Sequence, residues 1–187
     1  TLYLIPNTLG GGTDKYVTTQ LQRICAGTET FIVEEIKSAR RLLRHAGVIR
    51  PLEELEFLSL NEHTKANDID ELLKPLLEGR DVGLISEAGL PCVADPGSVV
   101  VELAHEHGIK VVPLVGPSSI LMALMSSGFN GQQFTFNGYL PRERSERSRK
   151  IRQLEQLALS GITQLFMDAP YRNNQVLDDL LQTCRMD

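Results

Sequence analysis

The chain reads as an α/β protein on a mostly parallel, doubly wound sheet, and three observations predict this. Short apolar runs of strand length recur along the sequence. A turn rich in Gly, Pro, Asn or Ser follows each run, and most of these turns open a segment of helical period. Over the first two thirds the order is βαβαβαβαβ, whose crossovers require parallel pairing and a right-handed winding.

Residues 2–6 form the first strand. Residues 7–13 are a Gly-rich loop opening a helix with Thr13 or Asp14 as cap, and Val17, Leu21 and Ile24 line its buried face. Residues 30–33 are the second strand, and 38–47 an arginine-rich helix ending at Gly47. Residues 57–60 are the third strand, and 67–78 a helix closed by Gly79. The fourth strand, 82–86, runs into Glu87-Ala88-Gly89-Leu90-Pro91, where the chain must turn sharply. Asp95-Pro96-Gly97-Ser98 is a helix entry, with Asp95 or Ser98 as cap and Pro96 in the first turn. Val99, Val100, Leu103 and Ala104 give that helix its apolar stripe, and Gly108 leads into the fifth strand, 110–114.

After Gly116-Pro117, residues 118–127 form a helix stopped by Gly128. A strand at 134–139 starts a second unit, a basic segment from Arg142 continues as a helix through Leu159, and a strand at 162–167 and a helix at 175–184 follow. The boundary falls near 114–119 without a flexible linker. It gives an N-terminal α/β domain, 1–115, and a C-terminal α/β domain, 116–187.

A chain of 187 residues with 42% hydrophobic residues buries a sizeable core. No apolar run approaches the ~18 residues of a membrane span, and the start TLYLIPN lacks a signal peptide's charged flank. With no initial Met, the true start is expected further upstream. Cys25, Cys92 and Cys184 lack metal-ligand spacing and are odd in number, which favours a reducing cytoplasm over a disulfide framework. Cys92 lies in the turn after the fourth strand, but no base accompanies it to make it a nucleophile.

In open α/β sheets ligands bind beyond the carboxyl ends of the strands, where the fourth and fifth strands both deliver Gly/Pro/Ser turns. Gly10-Gly11-Gly12-Thr13 only superficially resembles a phosphate loop, having no following Lys-Ser/Thr. His105 and His107, two apart at a helix end, do not share a face and are surface residues rather than a metal pair. His63 follows a strand, as a cleft contact or a solvated loop residue. Glu34 and Glu35 also follow a strand, open to acid/base work or to helix entry. Arg142, Arg144, Arg147, Arg149, Lys150 and Arg152 form either a solvated helix face or a phosphate-binding patch, while a net charge of −5 argues against broad attraction to RNA.

Three segments in order, VGLISEAGLPCVADPG from Val82, VVPLVGPSSILMALMSSGF from Val111 and FNGYLPR from Phe136, resemble the tetrapyrrole (corrin/porphyrin) methylase family of S-adenosylmethionine-dependent methyltransferases. The resemblance is nearest to the branch holding the 16S rRNA 2′-O-ribose methyltransferase, whose members read SDAGTPLISDPG, PGPSA and GFLPR at these places. It covers residues 2 to about 181 and implies two α/β domains, the first with a mostly parallel sheet and the second with a mixed sheet that is incomplete here.

The resemblance also implies S-adenosylmethionine as methyl donor, held between the units, and a homodimer. Thr8, Leu9 and Gly10 would border the donor; Ala88, Gly89, Leu90 and Val93 would line it through backbone groups. Ser118 and Ser119 would meet its carboxylate region or ribose, and Asp168 and Ala169 would line it from the second domain. Gly138-Tyr139-Leu140-Pro141 would form a cleft wall. Ser119→Arg and Gly89→Val are expected to obstruct the donor without unfolding the chain. No metal is implied, and no general base stands out. Glu87 replaces an Asp of the ribosomal branch, to orient the acceptor or to cap backbone amides.

PNTLGGG stands where that branch has ATPIGNL, Glu34-Glu35-Ile36-Lys37 where it has EDTR, and Met167-Asp168-Ala169-Pro170-Tyr171-Arg172 where it has YESPHR. These departures leave three readings: methylation of ribosomal RNA, methylation of a tetrapyrrole or other small molecule, and a non-catalytic donor-binding module.

Overall fold

A computed structural model describes residues 1–10, 16–61, 64 and 66–185, with the backbone alone at 66–68. The chain divides into two compact units, Thr1–Ser118 and Ser119–Asp187.

In the first unit, β1 (Leu2–Ile5), β2 (Thr30–Val33), β3 (Glu56–Ser59), β4 (Val82–Ile85) and β5 (Val111–Pro113) form one sheet in the order β3-β2-β4-β1-β5. Every pairing is parallel, as the βα alternation requires. Side chains alternate across it. Ile5, Phe31, Val33 and Ile85 pack with Leu21 and Cys25 of α1 (Thr19–Gly27) and with Ala39, Leu42 and Leu43 of α2 (Ile36–His45). Leu2, Ile32, Val82 and Leu84 pack on the opposite side with Leu72, Leu73 and Leu76 of α3 (Ala66–Leu77) and Val100 and Ala104 of α4 (Ser98–Glu106). The sheet is therefore covered on both faces, which is why its strands are apolar runs rather than alternating ones.

This winding positions the site. Leu2 stands opposite both Val82 and Val111, so β1, β4 and β5 end at one edge. From neighbouring strands, the chain leaves β1 for a helix on one face and β4 for a helix on the other. The two turns diverge and leave a crevice at the switch point.

Helix entries differ from expectation. Thr18 caps α1, its hydroxyl accepting from the Leu21 amide at 3.2 Å. The expected caps Thr13 and Asp14 lie outside the described residues, and Val17 packs on the core from before the helix rather than within it. Glu35 caps α2, which starts two residues earlier than the arginine pattern suggested. Neither Asp95 nor Ser98 occupies the cap of α4. Gly97 does, because the Asp95 carboxylate folds back on its own loop and accepts from the amides of Cys92 at 2.9 Å and Gly97 at 2.7 Å. Gly47, Gly79, Gly108 and Gly128 all follow helices with positive φ, as anticipated.

The second unit runs α5 (Ser119–Ser127), β6 (Phe134–Tyr139), α6 (Arg144–Ala158), β7 (Thr163–Met167) and α7 (Asn173–Thr183). β6 and β7 pair in parallel, with a register shift between Phe136 and Tyr139. Leu140, Ile151, Leu154 and Val176 form its core. No helix among the described residues is long and apolar enough to cross a membrane.

Candidate functional site

Asn7, directly after the Pro that ends the first strand pattern, ties the diverging turns together. Only 5% exposed, it donates its side-chain amide to the carbonyls of Ser86 at 3.0 Å and Glu87 at 2.9 Å. Its side-chain oxygen accepts from the Thr8 amide at 2.8 Å, and its own amide donates to the Gly89 carbonyl at 2.8 Å. Buried polar atoms without partners are costly, so this set of bonds fixes the β1 turn against the β4 turn. The sequence reading missed Asn7 as an individual residue. The signal was present in an Asn at a strand end, a residue type that bonds neighbouring backbone.

The turn after β5 joins them. A Cβ built on Gly116 would collide with the Pro6 ring and lie 3.6 Å from Leu90, and one built on Gly89 would lie 3.3 Å from Leu9 and 3.6 Å from the Pro117 carbonyl. Glycine at 116 is thus required for the β1 and β5 turns to touch. Of the residues singled out, Thr8, Leu9, Ala88, Gly89 and Leu90 are brought to this one edge, and Ser118 follows directly on the Gly116-Pro117 turn. Val93 lies further along the β4 loop, 43% exposed.

That loop carries Cys92 and Ala94 at φ +68° and +61°, a left-handed conformation uncommon for residues with a Cβ and enriched where ligands are held. The Asp95 bonds sustain it. Burial, and then the Asp95 charge, push the Cys92 thiol up to about 11, so it stays protonated at neutral pH and cannot serve as a nucleophile.

A cavity of about 230 Å³ opens beside these turns, lined by Thr8, Leu9, Gly10, Ser38, Arg41, Glu87 and Ala88 among others. It is smaller than the ~300–1,000 Å³ of drug-sized ligand pockets, so the first unit alone offers room for one end of such a molecule. Of the carboxylates, Glu35 serves helix entry, accepting from the amides of Lys37 at 2.9 Å and Ser38 at 2.6 Å. Glu34 instead accepts from the Glu87 amide at 2.9 Å and links β2's end to β4's. Of the two roles open to Glu87, capping is not the one observed: its carboxylate accepts no bond from a described amide and lies exposed at the cavity rim.

In the second unit, Asp168 and Ala169 follow β7. Asp168 Oδ1 accepts from the Ala169 amide at 2.7 Å and from Arg172 Nε at 2.8 Å. Its Oδ2 is buried without a partner. An orphaned carboxylate oxygen is able to accept a bond from a ligand hydroxyl or ammonium. Arg172 also donates to the Leu140 carbonyl at 3.1 Å, and Arg147 to those of Arg142 at 2.7 Å and Pro141 at 3.2 Å. The Gly138-Tyr139-Leu140-Pro141 stretch is therefore clamped at its end, through the Leu140 and Pro141 carbonyls. This revises the basic segment: Arg147 is 3% exposed and pairs with buried Asp179 at 2.7 Å, and Arg144 reaches the same carboxylate at 2.9 Å. Both are structural, not free phosphate contacts.

His63 and Gly11-Gly12-Thr13 lie outside the described residues. His105 and His107 are exposed at the end of α4, and no group of metal-ligating side chains exists among the described residues.

An open parallel sheet whose switch-point turns are tied by the Asn7 side chain and one main-chain bond leaves a crevice at its carboxyl edge, the place where α/β proteins of this class bind small ligands. The family model for tetrapyrrole (corrin/porphyrin) methylases matches residues 8–187. Proteins named ribosomal RNA small subunit methyltransferase I are similar to this chain. The one from Halalkalibacterium halodurans is 33% identical over 181 residues, covering 97% of this chain and 59% of its own length. The one from Xylella fastidiosa is 32% identical over 180 residues, covering 96% and 62%. The chain thus spans about three fifths of these relatives. Among solved structures, the methyltransferase CobJ is similar with a TM-score of 0.63 at 19% identity, over 98% of this chain and 76% of that one. A uroporphyrin-III-C-methyltransferase from Thermus thermophilus gives 0.52 at 20%, over 76% and 64%. Likeness at these identities concerns the fold. The chain belongs to the tetrapyrrole methylase family.

Proposed function

We propose that this protein is an S-adenosylmethionine-dependent methyltransferase acting on a ribose 2′-hydroxyl of ribosomal RNA. The observation that carries the donor half is the Asn7-centred tie at the switch point, in a chain that the family model matches from residue 8 onward. Thr8, Leu9, Ala88, Gly89, Leu90 and Val93 hold the donor on the first unit's turns, where its methionine or adenosine end meets backbone groups. The family resemblance alone assigns the remaining contacts to Ser118, Ser119, Asp168 and Ala169. The names of the relatives support the RNA half.

The donor supplies an activated methyl group when bound. The chain's part is to orient, since transfer requires the acceptor in line behind the methyl carbon and shielding from bulk water. A hydroxyl acceptor passes its proton to water or to a carboxylate as it is methylated; the exposed Glu87 at the rim is the side chain assigned to orient that hydroxyl. A cytoplasmic homodimer belongs to the same proposal, with light scattering as its check.

The test is calorimetric titration with S-adenosylmethionine, paired with transfer of labelled methyl from it into small ribosomal subunits, naked 16S RNA and a panel of tetrapyrroles. Saturable binding with label in RNA is expected. Label only in the small acceptors would refute the RNA half, binding without transfer would make the chain a donor-binding module, and absent binding would refute the whole reading.

A further inference from the structure

We infer that the exposed face of α2 is a docking strip for the phosphate backbone of the RNA acceptor; this rests on the reading above. Lys37, Arg40, Arg41 and Arg44 follow the spacing i, i+3, i+4, i+7, which gathers them on one side of the helix. Ala39, Leu42 and Leu43 on the other side are buried. No carboxylate among the described residues pairs with any of the four cations, although the chain as a whole carries a net charge of −5. Arg50, Arg80, Arg144, Arg147 and Arg172 are all engaged with acids, whereas Arg149, Lys150 and Arg152 on α6 are, among the described residues, unpaired like the α2 cations and serve as the comparison.

Local stability does not account for the strip. Lys37/Arg41 and Arg40/Arg44 are like-charge pairs at i, i+4, and Lys37 opposes the helix dipole in the first turn; only Arg44 and His45, in the last turn, complement it. The cations instead border an open depression of about 760 Å³ along the helix. Arg41 belongs to both this depression and the small cavity beside Thr8, Leu9 and Ala88. The strip therefore adjoins the candidate donor site at Arg41. From residue 37 to 44 it extends ~10 Å at 1.5 Å per residue, long enough to meet more than one backbone phosphate of a strand. Arg40 is held over the Phe57 ring, 5.3 Å from its centroid, which stiffens one cation in place.

The test measures binding of the whole protein to a labelled single-stranded RNA of mixed sequence across a salt series. Lys37→Gln, Arg40→Gln and Arg44→Gln are combined, leaving Arg41 at the cavity intact. A charge-matched control combines Arg149→Gln, Lys150→Gln and Arg152→Gln on α6. Each phosphate contact contributes ~0.7 to the slope of log K against log salt, so the α2 triple variant should flatten that slope by about 2. The control should leave it nearly unchanged, and Lys37→Arg with Arg40→Lys and Arg44→Lys should retain it. An unchanged slope in the α2 variant, an equal loss in the α6 control, or no RNA binding by the unsubstituted protein would each overturn the docking strip. S-adenosylmethionine titration of the same samples separates the two ideas: intact donor binding with no RNA effect sinks the strip alone, whereas absent donor binding sinks the parent reading.

Discussion

Replacing Asn7 with Asp changes one side-chain group and almost no volume, yet it should loosen the tie between the first unit's turns. The amide nitrogen faces two carbonyls at 2.9 and 3.0 Å, while the side-chain oxygen accepts from Thr8. An ionised Asp keeps the Thr8 bond but turns a second acceptor toward those two carbonyls. Two bonds worth ~1 kcal/mol each are lost and repulsion in a nearly buried place is added, so the cost at neutral pH is about 2–4 kcal/mol. A protonated Asp recovers one donor. Its folded pKa is therefore raised above the ~3.9 of an unfolded Asp, the folded state binds more protons than the unfolded, and stability falls as pH rises. Urea unfolding of Asn7→Asp against the unsubstituted chain, in steps between pH 4.5 and 8, reads this difference directly. The gap should widen with pH, and S-adenosylmethionine affinity should fall about tenfold at pH 8. Asn7→Ala, which leaves the Ser86 carbonyl unpaired without adding charge, should cost ~1–3 kcal/mol with no pH trend. A gap that stays flat with pH, or an Asn7→Asp chain as stable as its parent at pH 8, would refute the account of how these turns are held.

Further outcomes follow from the same geometry. Asp179→Ala strands the buried Arg147 and should destabilise the second unit by about 3–5 kcal/mol, read by hydrogen exchange as faster amide exchange over 140–185. Burial pushes the Asp179 carboxyl up, but the bonds and charges of Arg147 and Arg144 outweigh it and hold it below the usual range. Its contribution is thus present above the unfolded pKa and lost as pH falls through the folded one, so the gap between parent and variant should shrink below about pH 4. Cys92 should react slowly with iodoacetamide at pH 7 and quickly only after unfolding; fast labelling of the folded chain would contradict its protonated state. Ser119→Arg should weaken S-adenosylmethionine binding at least tenfold without lowering the unfolding midpoint. Gly89→Val is a poorer probe than its sequence position suggested, because φ is +72° there and Leu9 stands close, so it should lose stability along with binding.

Strands and their order were legible because burial on both faces leaves apolar runs between Gly/Pro turns. β2 and β6 fall on the residues the runs marked, and the other strands differ by one residue at one or both ends. Helix starts were less legible, because several residues that suit a cap compete locally. Thr13, Asp14 and Thr18 all have the chemistry, and Asp95 has it too but spends its carboxylate on Cys92 and Gly97. Charge was the least legible property. Arg147 reads as a surface cation until Asp179, 32 residues on, folds back to bury it. Meanwhile the evenly spaced cations of α2 passed as an ordinary arginine-rich helix. Such pairings are set by tertiary contact, which periodicity does not encode.

The two halves of the proposed site therefore differ in the kind of residue that builds them. The donor side is made of turns whose shape depends on Asn7, Gly89 and Gly116, and its bonds are mainly to backbone carbonyls and amides. Bonds of that kind join neutral groups, so salt screens them little. The acceptor side, if α2 provides it, is long flexible side chains around an open depression, with affinity that salt must erode. Recognition of the two ligands is then separable: a turn variant such as Asn7→Asp loses donor affinity at every salt concentration, whereas loss from the α2 variants is greatest at low salt. A chain in which both classes of variant responded to salt alike would have one continuous site rather than two.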